Sequence, residues 1–201
     1  MHPNPAFRQA PQSRHLAFAR ARGFGTLAVN AANGPLLSHI PFLIGDDGAS
    51  ADLHLVRSNP IARLGAVDAV ISVTGPDGYV SPDWYGVADQ VPTWNYVAVH
   101  LRGRLKPLKH DLMRDMLDRQ SAHFEKQLHP KPPWTTDKMT PGVMDRMMRA
   151  ILPFRLHISD VTGTWKLSQN KDDAVRLAAA DQVESGVGTE LAELARLMRE
   201  V

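Results

Sequence analysis

The chain has 201 residues, 43% of them hydrophobic and 22% charged, with a formal net charge of +2 and no cysteine. That composition supplies enough apolar chain for a full core and excludes disulfides, thiolate nucleophiles and cysteine-based metal sites. The slight basic excess is spread along the sequence, no apolar run reaches membrane-spanning length, and prolines stand where a signal peptide needs an apolar core, so we expect a cytoplasmic protein without a strong DNA-reading face.

Met1 to Pro11 reads as a proline-punctuated arm. Ser13 is placed to cap a short helix that runs to Arg22 and ends at Gly23, with His15, Arg20 and Arg22 on its solvated face. FGTLAVNAA is then a strand, Asn33-Gly34 a hairpin turn and PLLSHIPFLI the returning strand, because both turn residues tolerate positive φ. After GDDG, ADLHLV makes a third strand, and such an antiparallel meander closes into a barrel or sandwich.

RSNPIARLG predicts a short helix directly after that strand, with Ser58 or Asn59 as cap and Pro60 at the first helical position. The free N–H groups of such a start, with the Arg57 guanidinium, the Ser58 hydroxyl and the Asn59 amide, form a seat for a phosphate; the commoner alternative is an ordinary capped connection. DAVISVTG is a buried strand, and PDG at 76 to 78 is read as a turn.

Tyr79 to Leu105 holds two of the four tryptophans and all three tyrosines. From Thr93 onward it alternates as a strand does, with Trp94, Tyr96, Ala98, His100 and Arg102 on one face and Asn95, Val97, Val99 and Leu101 on the other. A mixed aromatic and polar face of this kind suits something flat and polar, although a core tryptophan with a satisfied indole N–H explains it as well. Helices are expected at 110 to 128, with Leu112, Met116, Leu117, Phe124 and Leu128 near one side, and again after Thr140-Pro141, with a strand at 154 to 168 bent at Thr162-Gly163. Two C-terminal helices follow, the second carrying Leu191, Leu194, Leu197 and Met198 on one face. No GxGxxG, GxxxxGK[ST], HExxH or GxSxG occurs, which sets aside dinucleotide folds, P-loops, zincins and nucleophile elbows.

As a set, LLSHIPFLI, LHLVRSNP, GPDGYVSPDWYG, VPTWNYVAVHLRG and WKLSQNK, in that order, resemble the PaiB family of FMN-binding negative transcriptional regulators. The resemblance implies a mainly β, α+β fold: an antiparallel FMN-binding split β-barrel with flanking helices. It would form one domain over 1 to 201, with a helical insertion at about 110 to 150 and C-terminal helices at about 171 to 200. It further implies a homodimer with FMN at the subunit interface. By position, Arg57, Ser58 and Asn59 resemble the phosphate-contacting turn, Ser38 and His39 the strand beside the ring, and Trp94 and Asn95 the strand lining ring and ribityl chain. Lys166 and Gln169 would close the site. Two other function classes follow from the same fold: an NAD(P)H-linked flavin oxidoreductase, and a haem protein with His39, His54 or His100 as ligand. Any effect on transcription is expected to be indirect.

Overall fold

The computed structural model describes residues 1–201, and its Cα traces group into two compact units. One, the barrel unit, comprises 19–72 and 101–160; the other, the helical unit, comprises 1–18, 73–100 and 161–201. No helix is long and apolar enough to cross a membrane.

The barrel unit begins with the end of α1 (Gln12–Arg22), after which β1 (Phe24–Val29), β2 (Leu36–Ile44) and β3 (Ser50–Val56) form the expected meander. Three longer strands complete the ring: β4 (Val67–Val80), β5 (Thr93–Pro107) and β6 (Ile151–Lys166), each with residues in both units. The hydrogen-bonded order is β1-β2-β3-β6-β5-β4, and β4 pairs back onto β1, with Leu27 opposite Ile71, to close an antiparallel six-stranded barrel. Closure needs room at the seam. A Cβ on Gly25 would stand 2.7 Å from the Ser72 carbonyl oxygen, so a side chain there would push β1 and β4 apart.

Period-two burial fills the barrel: Ile40, Phe42 and Ile44 of β2 are buried, as are Leu53, Leu55, Leu101, Leu105, Phe154 and Leu156. β3 breaks the alternation, since Ala51, Asp52 and Leu53 are all buried. The reason is α2 (Met113–Lys126), which covers that strand: Gln120 Nε2 donates to the Asp52 carbonyl at 3.0 Å and Arg119 to its carboxylate at 2.9 Å. Arg155 of β6 adds a two-pronged contact to the same carboxylate, at 2.6 and 2.9 Å. Burial alone would raise the Asp52 carboxyl, but the Arg155 and Arg119 hydrogen bonds outweigh it and hold it below the usual carboxylate value. The helical pattern at 110 to 128 is thus narrower than expected: Met113, Met116 and Gln120 are buried, whereas Leu112 and Leu128 are exposed. α3 (Val143–Met148) is a single short element with Met147 exposed.

The helical unit is built on the far ends of β4, β5 and β6 with α4 (Asp173–Val183) and α5 (Leu191–Arg199). Leu194, Leu197 and Met198 of α5 join Ala179, Ala180 and Val183 of α4 in a core with Val80, Tyr85, Val97, Trp165 and Leu167. Here the sequence expectation of a turn at Pro76-Asp77-Gly78 fails, because β4 runs straight through it. Gly78 is there for packing: a Cβ would lie 2.7 Å from Leu194 Cδ2. The short strand β7 (Gly188–Thr189) pairs with this stretch. Likewise β6 passes through Thr162-Gly163 as one continuous strand.

His15, expected on a solvated face, is buried. Its Nδ1 accepts the Trp165 indole N–H at 3.0 Å, Phe18 meets the same indole edge-to-face at 5.5 Å, and the Arg14 guanidinium lies 4.1 Å from its centroid. An accepting Nδ1 requires the neutral ring, and burial, aided by the Arg14 charge, pushes the His15 pKa below its ordinary 6.5. A histidine lowered in the fold is protonated more readily when unfolded, so this contribution is present above about pH 6.5 and is lost as pH falls toward the folded value. We expect His15→Leu to cost about 1–3 kcal/mol at neutral pH by orphaning the indole N–H, and to flatten the stability decline below about pH 6.5, read by urea unfolding. An unchanged pH slope in the variant would assign the decline to other groups.

Candidate functional site

The nine residues singled out from the sequence fall into two sets, one in each unit. In the barrel unit, alternation along β2 leaves His39 exposed and Ser38 half-buried. Thr26 Oγ1 lies 3.1 Å from His39 Nδ1 across the β1–β2 pair. Ser38 Oγ accepts a hydrogen bond from Asn59 Nδ2 at 3.0 Å, while Asn59 Oδ1 accepts from the Ile61 N–H at 3.0 Å. Asn59 is therefore the cap, and both ends of its amide are committed.

The predicted helix is a four-residue 3-10 turn, Pro60–Arg63, and this changes what it offers. The Asn59 N–H donates to Val56, the Ala62 N–H to Asn59, and Pro60 has no N–H, so the start of the turn consumes its own donors. What remains for an anion is side-chain chemistry. Arg57 is tied at two points, its N–H to Ala150 at 2.9 Å and its Nε to the Arg149 carbonyl at 2.8 Å, and its two terminal nitrogens make no hydrogen bond. Ser58 beside it is exposed.

In the helical unit, Trp94 and Asn95 stand on opposite faces of β5. Trp94 is 47% exposed and meets Tyr79 edge-to-face at 6.3 Å, whereas Asn95 is fully buried. Asn95 Nδ2 donates to Ser168 Oγ at 2.9 Å and to Met198 Sδ at 3.4 Å, and Ser168 Oγ lies 3.1 Å from the Tyr85 hydroxyl. Asn95 Oδ1 is buried without a partner. Lys166 Nζ donates to Thr93 Oγ1, and burial lowers its pKa. Gln169 serves the backbone: its Oε1 accepts the Leu167 N–H at 2.8 Å and its Nε2 donates to the carbonyls of Trp165 and of Ala6.

Tyr85, Ser168 and Lys171 were not singled out from the sequence. Ser168 holds φ of 63°, a left-handed conformation that costs a non-glycine residue energy and recurs at ligand sites. Only its place inside WKLSQNK could have pointed to it.

The donor set of the barrel unit suits FMN: a fixed guanidinium and a hydroxyl for the phosphate, with the exposed His39 imidazole for the polar edge of a flat ring. Comparison with known proteins agrees. A family model described as "Putative FMN-binding domain" matches residues 1–160. The protease synthase and sporulation protein PAI 2 of Bacillus subtilis (strain 168) is 28% identical over 187 residues, covering 91% of this chain and 89% of the relative. Among solved structures, the FAD and haem binding protein from Mycobacterium smegmatis has a TM-score of 0.57 at 19% identity, over 80% of this chain and 73% of that one. A flavocytochrome from Azotobacter vinelandii has a TM-score of 0.56 at 15% identity, over 82% and 72%. These likenesses share the fold, a flavin-type split barrel, and with the family match over most of its length the chain belongs to the PaiB-type FMN-binding family.

Proposed function

We propose that this protein holds FMN with the phosphate on Arg57 and Ser58, and that it works in regulation rather than turnover. The observation that carries the reading is the Arg57 guanidinium, fixed through its Nε and backbone N–H with both terminal nitrogens uncommitted. Ser38 and Asn59 steady that turn, and His39 next to Ser38 carries an exposed imidazole; in the helical unit, Trp94 carries an exposed indole of the kind that takes a flat ring. Asn95, Lys166 and Gln169 hold the start of β5 and the end of β6 in place within the helical unit. When bound, the flavin supplies a ring that accepts or donates electrons. The regulatory part follows the name of the B. subtilis relative, which places that protein in protease synthesis and sporulation. With a net charge of +2, effects on transcription are read as indirect.

The reading includes a homodimer, supported by exposed apolar side chains such as Phe24 and Leu37 on neighbouring strands. Light scattering with absorbance detection is the test: flavin absorbance should co-elute with the mass of a dimer and persist when NADPH is added. Bleaching with turnover would replace the regulator by an oxidoreductase, a Soret band would replace flavin by haem, and a flavin-loaded monomer would remove the dimer.

A further inference from the structure

We propose that the helical unit contains a second binding site, for a small hydroxycarboxylate, in the cavity behind Asn95. This goes beyond the flavin reading and does not rest on it. A ring lying on Trp94 would be on one face of β5, and the cavity is on the other. Its volume is about 210 Å³, below the roughly 300 Å³ at which pockets for drug-sized ligands begin. The occupant is therefore small.

The lining fixes its charge. Lys166 and Lys171 both reach the cavity, and none of the lining residues is acidic. Lys166 is bonded to a hydroxyl, and Lys171 to the Gln90 amide while standing 4.5 Å from the Tyr85 ring centroid. Two ammonium groups without a carboxylate partner call for an anion. Burial disfavours the charged form of Lys166, a penalty that a bound anion would relieve.

The polar atoms fix the rest. Asn95 Oδ1 is an acceptor, fully buried, with no donor. Leaving it so costs free energy that a ligand O–H or N–H would recover. Asn95 Nδ2 is already given to Ser168 Oγ. Tyr85 and Ser168 share one hydrogen bond but have two hydroxyl hydrogens, so one hydrogen is left to donate whichever of them gives the bond. The site thus presents two cations, one spare donor and one empty acceptor. A carboxylate answers the first two, and a hydroxyl beside it answers the third; an amine there would be an ammonium repelled by the lysines. Ser168, held at φ 63° in the floor of the cavity, has the kind of constrained backbone that ligand sites keep.

The test is calorimetry and amide NMR on the full chain with three probes: glycolate, acetate, which lacks the hydroxyl, and inorganic phosphate. Each is titrated with and without saturating FMN. We expect saturable glycolate binding about tenfold tighter than acetate, corresponding to one recovered hydrogen bond, with shifts at Asn95 and Ser168. Lys171→Gln, at the half-buried mouth, should weaken glycolate about tenfold and leave FMN binding unchanged. Asn95→Leu should abolish the preference for glycolate over acetate; if it does not fold, Lys171→Gln still decides. Equal affinity for glycolate and acetate, tighter binding of phosphate, indifference to Lys171→Gln, or no saturable binding would each overturn the proposal. Displacement of glycolate by FMN would overturn it too, by making the cavity part of the flavin site.

Discussion

Arg57→Ala is expected to weaken FMN binding by on the order of tenfold to a hundredfold, because each charge-assisted bond from a guanidinium to a phosphate contributes roughly 1.5–3 kcal/mol. The loss should be confined to the phosphate. Riboflavin, which lacks it, should bind poorly to both proteins and change little. Trp94→Ala should weaken FMN and riboflavin alike, since a ring contact does not depend on the phosphate. The fold should survive the arginine change, as the lost Nε bond to Arg149 lies at the surface. Flavin fluorescence quenching gives both affinities. Unchanged FMN affinity in Arg57→Ala would move the phosphate to another basic position, with Arg63 next to be tested.

Asp52→Asn should be among the more damaging polar substitutions in the barrel unit, costing about 2–4 kcal/mol and lowering Tm by roughly 5–15 °C. The carboxylate is buried and gathers Arg155, Arg119 and α2 onto β3. An asparagine would turn an amide N–H toward guanidinium donors. Arg155 and Arg119 remain partly solvated, at 37% and 43% side-chain exposure, which keeps the cost toward the lower end of what a broken buried pair can reach. The pH dependence gives a second readout. A carboxyl held low in the fold stabilises above its unfolded value of 3.8 and loses that contribution as pH falls through its folded value. The variant should lack this acid-side component. A loss below about 0.5 kcal/mol would mean that the cluster behaves as a screened surface pair.

Much of the framework could be read from the sequence because its signals are local. Asn33-Gly34 marked the first hairpin, the apolar runs on either side of it and after GDDG marked β1 to β3, and the facing of Asn95, Val97, Val99 and Leu101 away from Trp94 matches the burial along β5. Two of the misreadings share one cause, a partner distant in sequence. Pro76-Asp77-Gly78 has the composition of a turn, but the space beside Gly78 is claimed by Leu194. His15 looks like a surface residue of a short helix until Trp165 supplies its donor. At RSNP the cap and proline were legible, and the 3-10 closure that consumes the backbone donors was not, since propensity does not separate one helical turn from another. The small cavity had no signature at all. It is assembled from the proline-rich arm, the start of β5 and the WKLSQNK segment, which only the fold brings together.

The strand order has a consequence for how the chain is made. β6 lies between β3 and β5, so the ring cannot close until the ribosome has delivered Ile151–Lys166. At roughly 5–20 residues per second, β3 waits about 5–20 s after its own synthesis for its neighbour. Throughout that interval its unpaired edge, with Leu53 and Leu55, is open to other nascent chains. Such a protein should lean on chaperones that shield strand edges during translation, and its yield on overexpression should rise when elongation through the segment between β3 and β6 is faster.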